Sequence, residues 1–183
     1  MAQRPSGATR SPMRSTEPDN RLTRRYCAVH RSFRYGPPVL DRLSDRARAL
    51  LESDAVATVV TINSDGSPHV TAAWVGIDGG EIVFATIPDQ RKLRNLRRDP
   101  RVVLSMLGTN VNEWGLREYL VIEGKARITD GGAAEMLQHL AHTYLGPDVV
   151  FPGIPNPPSG FITRMTIERV RGVGPWLSQQ GEG

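Results

Sequence analysis

Three stretches of the chain space their apolar residues three or four positions apart, as an amphipathic helix does. The first begins at Leu40 in LDRLSDRARALLES, the second covers residues 90–98 and the third covers about residues 131–145. The apolar faces that these helices would bury are Leu40, Leu43, Ala47, Leu50 and Leu51, then Leu93 and Leu96, then Met136, Leu137, Leu140, Ala141 and Tyr144.

Around these helices, apolar and polar residues alternate with the period of a β-strand. The segments are AVATVVTI, PHVTAAWVGI, EIVFATI, RVVLSML, REYLVIEGKARIT and FITRMTIERVRGV. Asp65-Gly66 and the DGG at residues 78–80 predict tight turns that join the first three strands. The pattern predicts a mainly β fold with α, a six-stranded antiparallel barrel capped by short helices.

The first 39 residues lack this periodicity. They mix Arg, Ser, Pro and Thr, a composition typical of disorder. Residues 1–35 carry a net charge of +6, so the rest of a chain with net charge +4 is slightly acidic. We predict a disordered Arg-rich tail over 1–39, a folded domain over 40–177 and a flexible C-terminus over 178–183. Binding to nucleic acid is disfavoured, except through the tail, where it is a minor alternative.

Several classes of protein and site are disfavoured. Cys27 is the single cysteine, which excludes an internal disulfide and a cysteine-built zinc site. His139 and His142 share the third predicted helix, where a solvated pair is favoured over a metal site. No apolar run reaches the ~18–20 residues that span a membrane, and no signal-peptide core is visible. A cytoplasmic protein without a metal is predicted.

A cluster of basic residues interrupts the strands in IPDQRKLRNLRRDPRV, residues 87–102. One interpretation is an Arg-rich, solvated surface helix. The other is an anion site, favoured because the chain has only two lysines and Lys92 is one of them. From these residues alone, both interpretations stay open. The basic residues are Arg91, Lys92, Arg94, Arg97, Arg98 and Arg101.

From residue 40 to 176, these segments occur in an order that resembles the split-barrel superfamily related to pyridoxamine 5′-phosphate oxidase. The segment FATIPDQRKLRNLRRDP resembles most the branch that uses coenzyme F420, a 5-deazaflavin. The resemblance implies a split β-barrel and an oxidoreductase that transfers a hydride from reduced F420 to a conjugated small molecule. Alternatives are an oxidoreductase dependent on flavin mononucleotide (FMN) and a non-catalytic cofactor-binding protein. A true pyridoxamine phosphate oxidase is disfavoured, because GVGPWLSQQGEG lacks the expected arginine.

The resemblance also implies where the cofactor binds. Its phosphate would lie at the start of the second helix, whose free N–H groups and dipole favour an anion. Many relatives have an arginine two residues before the lysine, where this chain has Gln90 followed by Arg91. Lys92 is expected to be exposed, and the strand PHVTAAW to contact the ring edge through its backbone. The implied residues are Val70, Thr71, Ala72, Thr86, Gln90, Arg91, Lys92 and Asn95.

Relatives bind the cofactor across a two-fold axis, so a homodimer with the cofactor at its interface is expected. Trp74 is interpreted either as a wall of the substrate cavity or as a core or interface residue. Trp114 and Trp176 lie in irregular segments and are expected to cover a partner subunit. No pair of residues suggests a catalytic acid and base.

Overall fold

The computed structural model describes residues 43–178. The predicted tail over 1–39, the first residues of the predicted domain and all but Ser178 of the predicted C-terminal segment lie outside the described residues. Within the described part, no helix is both long and apolar enough to cross a bilayer.

All three predicted helices are present, with shorter bounds. They are α1 (Asp45–Leu51), α2 (Arg91–Arg98) and α3 (Ala133–Tyr144). The first begins later than its apolar pattern predicts, because the Ser44 hydroxyl accepts a hydrogen bond from the Ala47 N–H at 3.1 Å and caps the helix. Leu43, before the cap, pairs with Leu177 in a β-bridge instead.

A seven-stranded antiparallel sheet confirms the predicted class, mainly β with α. The predicted number of six strands is wrong by one. PHVTAAWVGI forms two strands, because the Val75 N–H donates to the Tyr144 hydroxyl rather than to a neighbouring strand. The strands are β1 (Ala57–Ile62), β2 (Pro68–Ala73), β3 (Gly76–Asp78), β4 (Glu81–Thr86), β5 (Arg101–Val111), β6 (Arg117–Asp130) and β7 (Phe161–Val173).

The order of the strands requires the sheet to curl. It is β2-β1-β5-β6-β7-β4-β3, so the two edge strands are consecutive in the chain. Six interstrand spacings of about 4.8 Å would separate the edges of a flat sheet by roughly 29 Å. The link of Trp74 and Val75 spans only about 10 Å. The edges therefore come close without pairing, which is the split of the predicted barrel.

Alternate strand residues face one core inside the curl. The predicted alternation in β6 is confirmed, since Leu120 and Ile122 are fully buried while Val121 and Glu123 between and beside them are partly exposed. α1 adds Ala47 and Leu51 to the same core, and α3 packs against β4. The largest buried strand residues are Val59, Ile82, Phe84, Leu104, Met106, Leu120, Ile122 and Met165.

Two tryptophans outside the main elements differ in burial. Trp114, at the β5–β6 turn, is 67% exposed. Trp176 is buried in the core of its own chain, and its indole N–H donates to the Tyr119 carbonyl at 2.8 Å. The expectation that Trp176 covers a partner subunit is therefore wrong. The Leu43–Leu177 bridge holds the chain after β7 against the segment before α1, which places this indole inside.

The Tyr144 hydroxyl holds the split together. It accepts from the Val75 N–H at 3.0 Å and lies 3.2 Å from the Val75 carbonyl and 3.3 Å from the Ala55 carbonyl, to either of which it can donate. Burial raises the pKa of Tyr144, so the hydroxyl keeps its proton over the working pH range. The last residue of α3 therefore fixes the link between the edge strands.

We expect Tyr144→Phe to lower the free energy of unfolding by about 1–3 kcal/mol, because it leaves the buried Val75 N–H without a partner. Urea unfolding measures this change. Tyr119→Phe is the matched control, since no hydrogen bond to the Tyr119 hydroxyl occurs within residues 43–178. Equal urea midpoints for both variants would show that the Tyr144 hydroxyl does not stabilise the split.

Candidate functional site

Four of the six basic side chains between residues 91 and 101 have partners in the chain. These are Arg94 with the Asp89 carbonyl (2.8 Å), Arg97 with the Asp89 carboxylate (3.0 Å), Arg98 with the Ile62 carbonyl, and Arg101 with the Asp99 carboxylate (2.6 Å). Within residues 43–178, Arg91 and Lys92 form neither a hydrogen bond nor a salt bridge. The two unpaired cations are adjacent and begin α2.

Their position conflicts with the helix dipole. The N-terminal end of a helix carries partial positive charge and favours acidic side chains. α1 and α3 follow this preference with Asp45 and Glu135 in their first turns. α2 has no acidic residue in its first turn, and its N-cap, Gln90, makes no side-chain hydrogen bond to the helix. An anion bound there would remove the conflict.

Lys92 is buried, contrary to the expected exposure. The residue is 4% exposed, and its ammonium lies 5.7 Å from the centre of the Phe84 ring. The ring face attracts the cation only weakly compared with a carboxylate. Burial lowers the pKa of Lys92 from its ordinary value of 10.5, because the charged form loses hydration. A buried cation without an anion is costly and suits a group that binds one.

Two buried hydroxyls of the predicted set also lack partners. Thr86, at the end of β4, and Thr71, in β2, each bury an Oγ1 atom that makes no hydrogen bond to another described residue. Thr163 is the third such residue in the described part of the chain. Buried polar groups are usually paired, so an unpaired one indicates a site for water or a ligand.

A cavity of about 260 Å³ is lined by residues from both halves of the predicted site, the strand β2 and the start of α2. Ala72 comes from β2, and Lys92 comes from the start of α2. Ala85, beside Thr86, also lines it. The other lining residues are Val56, Ala73, Trp74, Leu137 and Phe151. We call this space the lysine cavity.

The remaining predicted residues lie around the lysine cavity rather than in its lining. Among residues 43–178, β2 is an edge strand that pairs only with β1. Along Val70–Ala72, the backbone groups on its other side therefore point away from the sheet. Gln90 and Arg91 are exposed at the start of α2. Arg91 faces the β1–β2 turn, where Ser67 hydrogen bonds and, less strongly, the Arg91 charge lower the pKa of Asp65.

Asn95 is buried, and its amide group already has partners. Its Nδ2 donates to the Thr61 hydroxyl at 3.1 Å and to Asn63 Oδ1 at 3.0 Å. Both amide hydrogens are therefore used to fasten α2 to the end of β1. The prediction that Asn95 binds the cofactor stays a prediction, but these contacts suit a residue that positions α2.

We expect Asn95→Ala to lower the free energy of unfolding by about 1–3 kcal/mol, because the fully buried Thr61 loses its donor. Cofactor affinity should change less than with a Lys92 variant. Chemical unfolding and a cofactor titration of the same sample measure both effects. A loss of affinity with no loss of stability would instead show that Asn95 contacts the cofactor.

An aromatic group beside the lysine cavity was only partly predicted. Trp74 stacks on Tyr144 with ring centres 5.3 Å apart and meets Phe151 at 5.0 Å. Trp74 lines the lysine cavity, and its interpretation as a wall of the substrate cavity stays a prediction. Phe151 lies in a proline-rich segment without periodicity, so no sequence pattern singled it out.

One of the two histidines predicted on the third helix has a partner on the same helix. The His142 Nε2 atom lies 2.7 Å from the Gln138 Nε2 atom.

A family model described as pyridoxamine 5′-phosphate oxidase matches residues 43–174. The chain belongs to this family. The matched residues include the edge strand β2 and all residues that line the lysine cavity. No curated protein sequence matches the chain significantly.

Solved structures share the fold at low sequence identity. A protein described as an F420 reductase is 24% identical, with 67% of this chain and 94% of that chain covered and a TM-score of 0.54. A conserved hypothetical protein from Mycobacterium tuberculosis is 26% identical, with 76% and 88% covered and a TM-score of 0.57. A heme-binding protein from Mycobacterium smegmatis is 21% identical, with 76% and 55% covered and a TM-score of 0.53.

Proposed function

We propose that the protein is an F420-dependent reductase that transfers a hydride to a conjugated small molecule. The observation that carries this proposal is the pair of unpaired cations, Arg91 and buried Lys92, at the start of α2. Family membership supports oxidoreductase chemistry. The structural similarity to an F420 reductase supports the deazaflavin as cofactor.

The residues present fit a phosphate-bearing cofactor. Lys92 would supply a compact positive charge to the phosphate, and Thr86 would supply a hydroxyl donor that has no other partner among residues 43–178. The first N–H groups of α2 would add backbone donors. Arg91, exposed beside them, would contact the same anion from the solvent side.

The other half of the site would hold the ring system. The edge of β2 at Val70, Thr71 and Ala72, which pairs with no strand of the described sheet, offers backbone donors and acceptors to a flat heterocycle. When bound, the deazaflavin supplies the hydride, and the protein supplies position and exclusion of water. Small apolar residues such as Ala72 and Ala85 let a ring approach closely and keep water away from it.

FMN is the second candidate cofactor, because it also carries a phosphate on a ribityl chain. The same unpaired cations and the Thr86 hydroxyl would bind it equally well. The paired arginines of α2 do not choose between the two cofactors, since each has a partner in the chain.

We further propose a homodimer that covers the cofactor. Val70 on β2 is 59% exposed, and Val56 beside the lysine cavity is also exposed. A second copy of the chain placed on this edge would bury these apolar side chains and exclude water from the ring.

The proposed activity is tested by mixing the protein with reduced F420 and 2-methyl-1,4-naphthoquinone without oxygen. We expect the visible absorbance of oxidised F420 to return at a rate that is proportional to enzyme concentration. Binding of F420 without turnover of any conjugated acceptor would favour the non-catalytic alternative. Turnover with reduced FMN alone would favour the flavin enzyme.

A further inference from the structure

A second, larger cavity lies between α3 and the proline-rich segment before β7. Its volume is about 620 Å³, within the range of about 300–1,000 Å³ typical of small-molecule sites. α3 contributes Ala134 and Gln138, and the segment contributes Val150, Phe151 and Ile154. We call it the proline cavity.

The walls of the proline cavity are held in place by one side chain. Gln138 donates from Nε2 to the Val149 carbonyl at 2.7 Å and accepts from the Phe151 N–H through Oε1 at 2.9 Å. These two bonds fasten the proline-rich segment to α3. The prolines among its walls further restrict the backbone. The cavity is therefore preformed.

Phe151 lines both the proline cavity and the lysine cavity. Its ring contacts Trp74, which in turn stacks on Tyr144. On α3, Ala134 and Gln138 face the proline cavity, while Leu137 faces the lysine cavity. The two spaces therefore adjoin at one aromatic ring and share one helix.

The lining of the proline cavity defines the chemistry it accepts. It is mostly apolar, and Val150 at its rim is 77% exposed although it is a large hydrophobic residue. The Gln138 amide is already engaged, which leaves Glu135 as the ionisable group of the lining. No arginine or lysine of residues 43–178 lines it. An apolar ring compound that is neutral or cationic fits, and an anion does not.

We propose that the proline cavity binds the electron-accepting substrate, an apolar ring compound without negative charge, and that substrate and cofactor meet directly beside the Phe151 ring, where the proline and lysine cavities adjoin. This inference rests on the proposed function for the role of the lysine cavity. The occupancy of the proline cavity by an apolar ring compound can be tested without any cofactor.

Ala134→Phe fills the proline cavity from α3, and Thr143→Phe adds the same ring at an exposed position of the same helix. The first measurement is a titration with N-phenyl-1-naphthylamine, a neutral probe that fluoresces in apolar surroundings. We expect the wild type and Thr143→Phe to bind it alike and Ala134→Phe to bind it about tenfold or more weakly, a loss of at least ~1.4 kcal/mol. Equal binding by all three proteins would overturn the proposal.

The second measurement separates substrate from cofactor. With reduced F420 and 2-methyl-1,4-naphthoquinone, Ala134→Phe should raise the KM of the quinone about tenfold, while the F420 dissociation constant stays that of the wild type. An unchanged KM in a variant that excludes the probe would overturn the role as substrate pocket.

Two further outcomes can be distinguished from those of the probe titration and the KM measurement. A lower molecular mass of Ala134→Phe in sedimentation would show that this surface joins two copies of the chain, and would also overturn the proposal. Failure of all three proteins to bind F420 would overturn the proposed function and with it the role as substrate pocket. The probe titration, which contains no cofactor, would still decide whether the cavity accepts an apolar ring.

Discussion

Lys92→Met should make the protein without cofactor more stable and at the same time weaken its binding of the cofactor. The buried ammonium has no anionic partner among the described residues, so folding removes its hydration without compensation. Methionine fills a similar volume without charge. We expect the free energy of unfolding to rise by about 1–2 kcal/mol at neutral pH. An exposed lysine would leave stability unchanged.

Lys125→Met is the matched control, because Lys125 is the other lysine of the chain and lies exposed beside Glu168 at 3.0 Å. Urea unfolding of the three proteins in phosphate-free buffer measures the effect. A Lys92→Met protein no more stable than the wild type would show that the ammonium is adequately solvated where it lies.

The gain in stability should depend on pH in a defined direction. Because burial lowers the pKa of Lys92 below 10.5, the unfolded chain binds more protons than the folded one between the folded pKa and 10.5. The free energy of unfolding of the wild type therefore rises through this window, and the penalty is fully present below the folded pKa. The advantage of Lys92→Met should shrink as the pH approaches 10.5.

Gly124→Ala should destabilise the protein strongly. Gly124 lies in β6 at a shift in the β6–β7 register, where a Cβ atom would overlap the Thr166 carbonyl oxygen and come within 3.1 Å of Met165 Cε. The overlap is with the backbone of a paired strand, which cannot move without breaking the ladder. We expect a loss of about 3 kcal/mol or more.

Gly115→Ala is the control for this change. Gly115 has a φ of +77° and nothing within 4 Å of an added Cβ, so only backbone strain of about 1–2 kcal/mol is expected. Thermal and urea unfolding compare the two variants. A loss at Gly124 no larger than that at Gly115 would mean that the register shift can absorb a methyl group.

Most of the fold could be predicted from hydrophobic periodicity. In β6, buried and more exposed residues alternate from Arg117 to Arg127, because one face meets the core and the other meets solvent. The break at Trp74 and Val75 could not be predicted, because both residues are typical of strands. The hydrogen bond that the Val75 N–H donates to the Tyr144 hydroxyl, 69 positions away, decides the break. Long-range contacts of this kind leave no local pattern.

The position of the candidate site could be predicted from the sequence, but the burial of Lys92 could not. Lys92 follows Arg91 at the helix start, and two cations at that end of a helix are a local signal of an anion. Its burial depends on Phe84 and on the fit of α2 against the sheet, which no spacing reveals. The partners of Arg94 and Arg97 were missed for a different reason, since Asp89 precedes the helix and its contacts require the turn to be folded.

The most direct test of the central claim is a fluorescence titration of the wild type, Lys92→Met and Lys125→Met with F420 and with FMN at two salt concentrations. If Lys92 binds the phosphate of F420, the wild type and Lys125→Met bind F420 alike, and Lys92→Met binds it about ten- to a hundredfold more weakly, a loss of roughly 1.5–3 kcal/mol. The difference should persist at the higher salt concentration, because a buried charge is poorly screened. Equal F420 affinity in all three proteins, or saturable binding of FMN alone, would contradict the account.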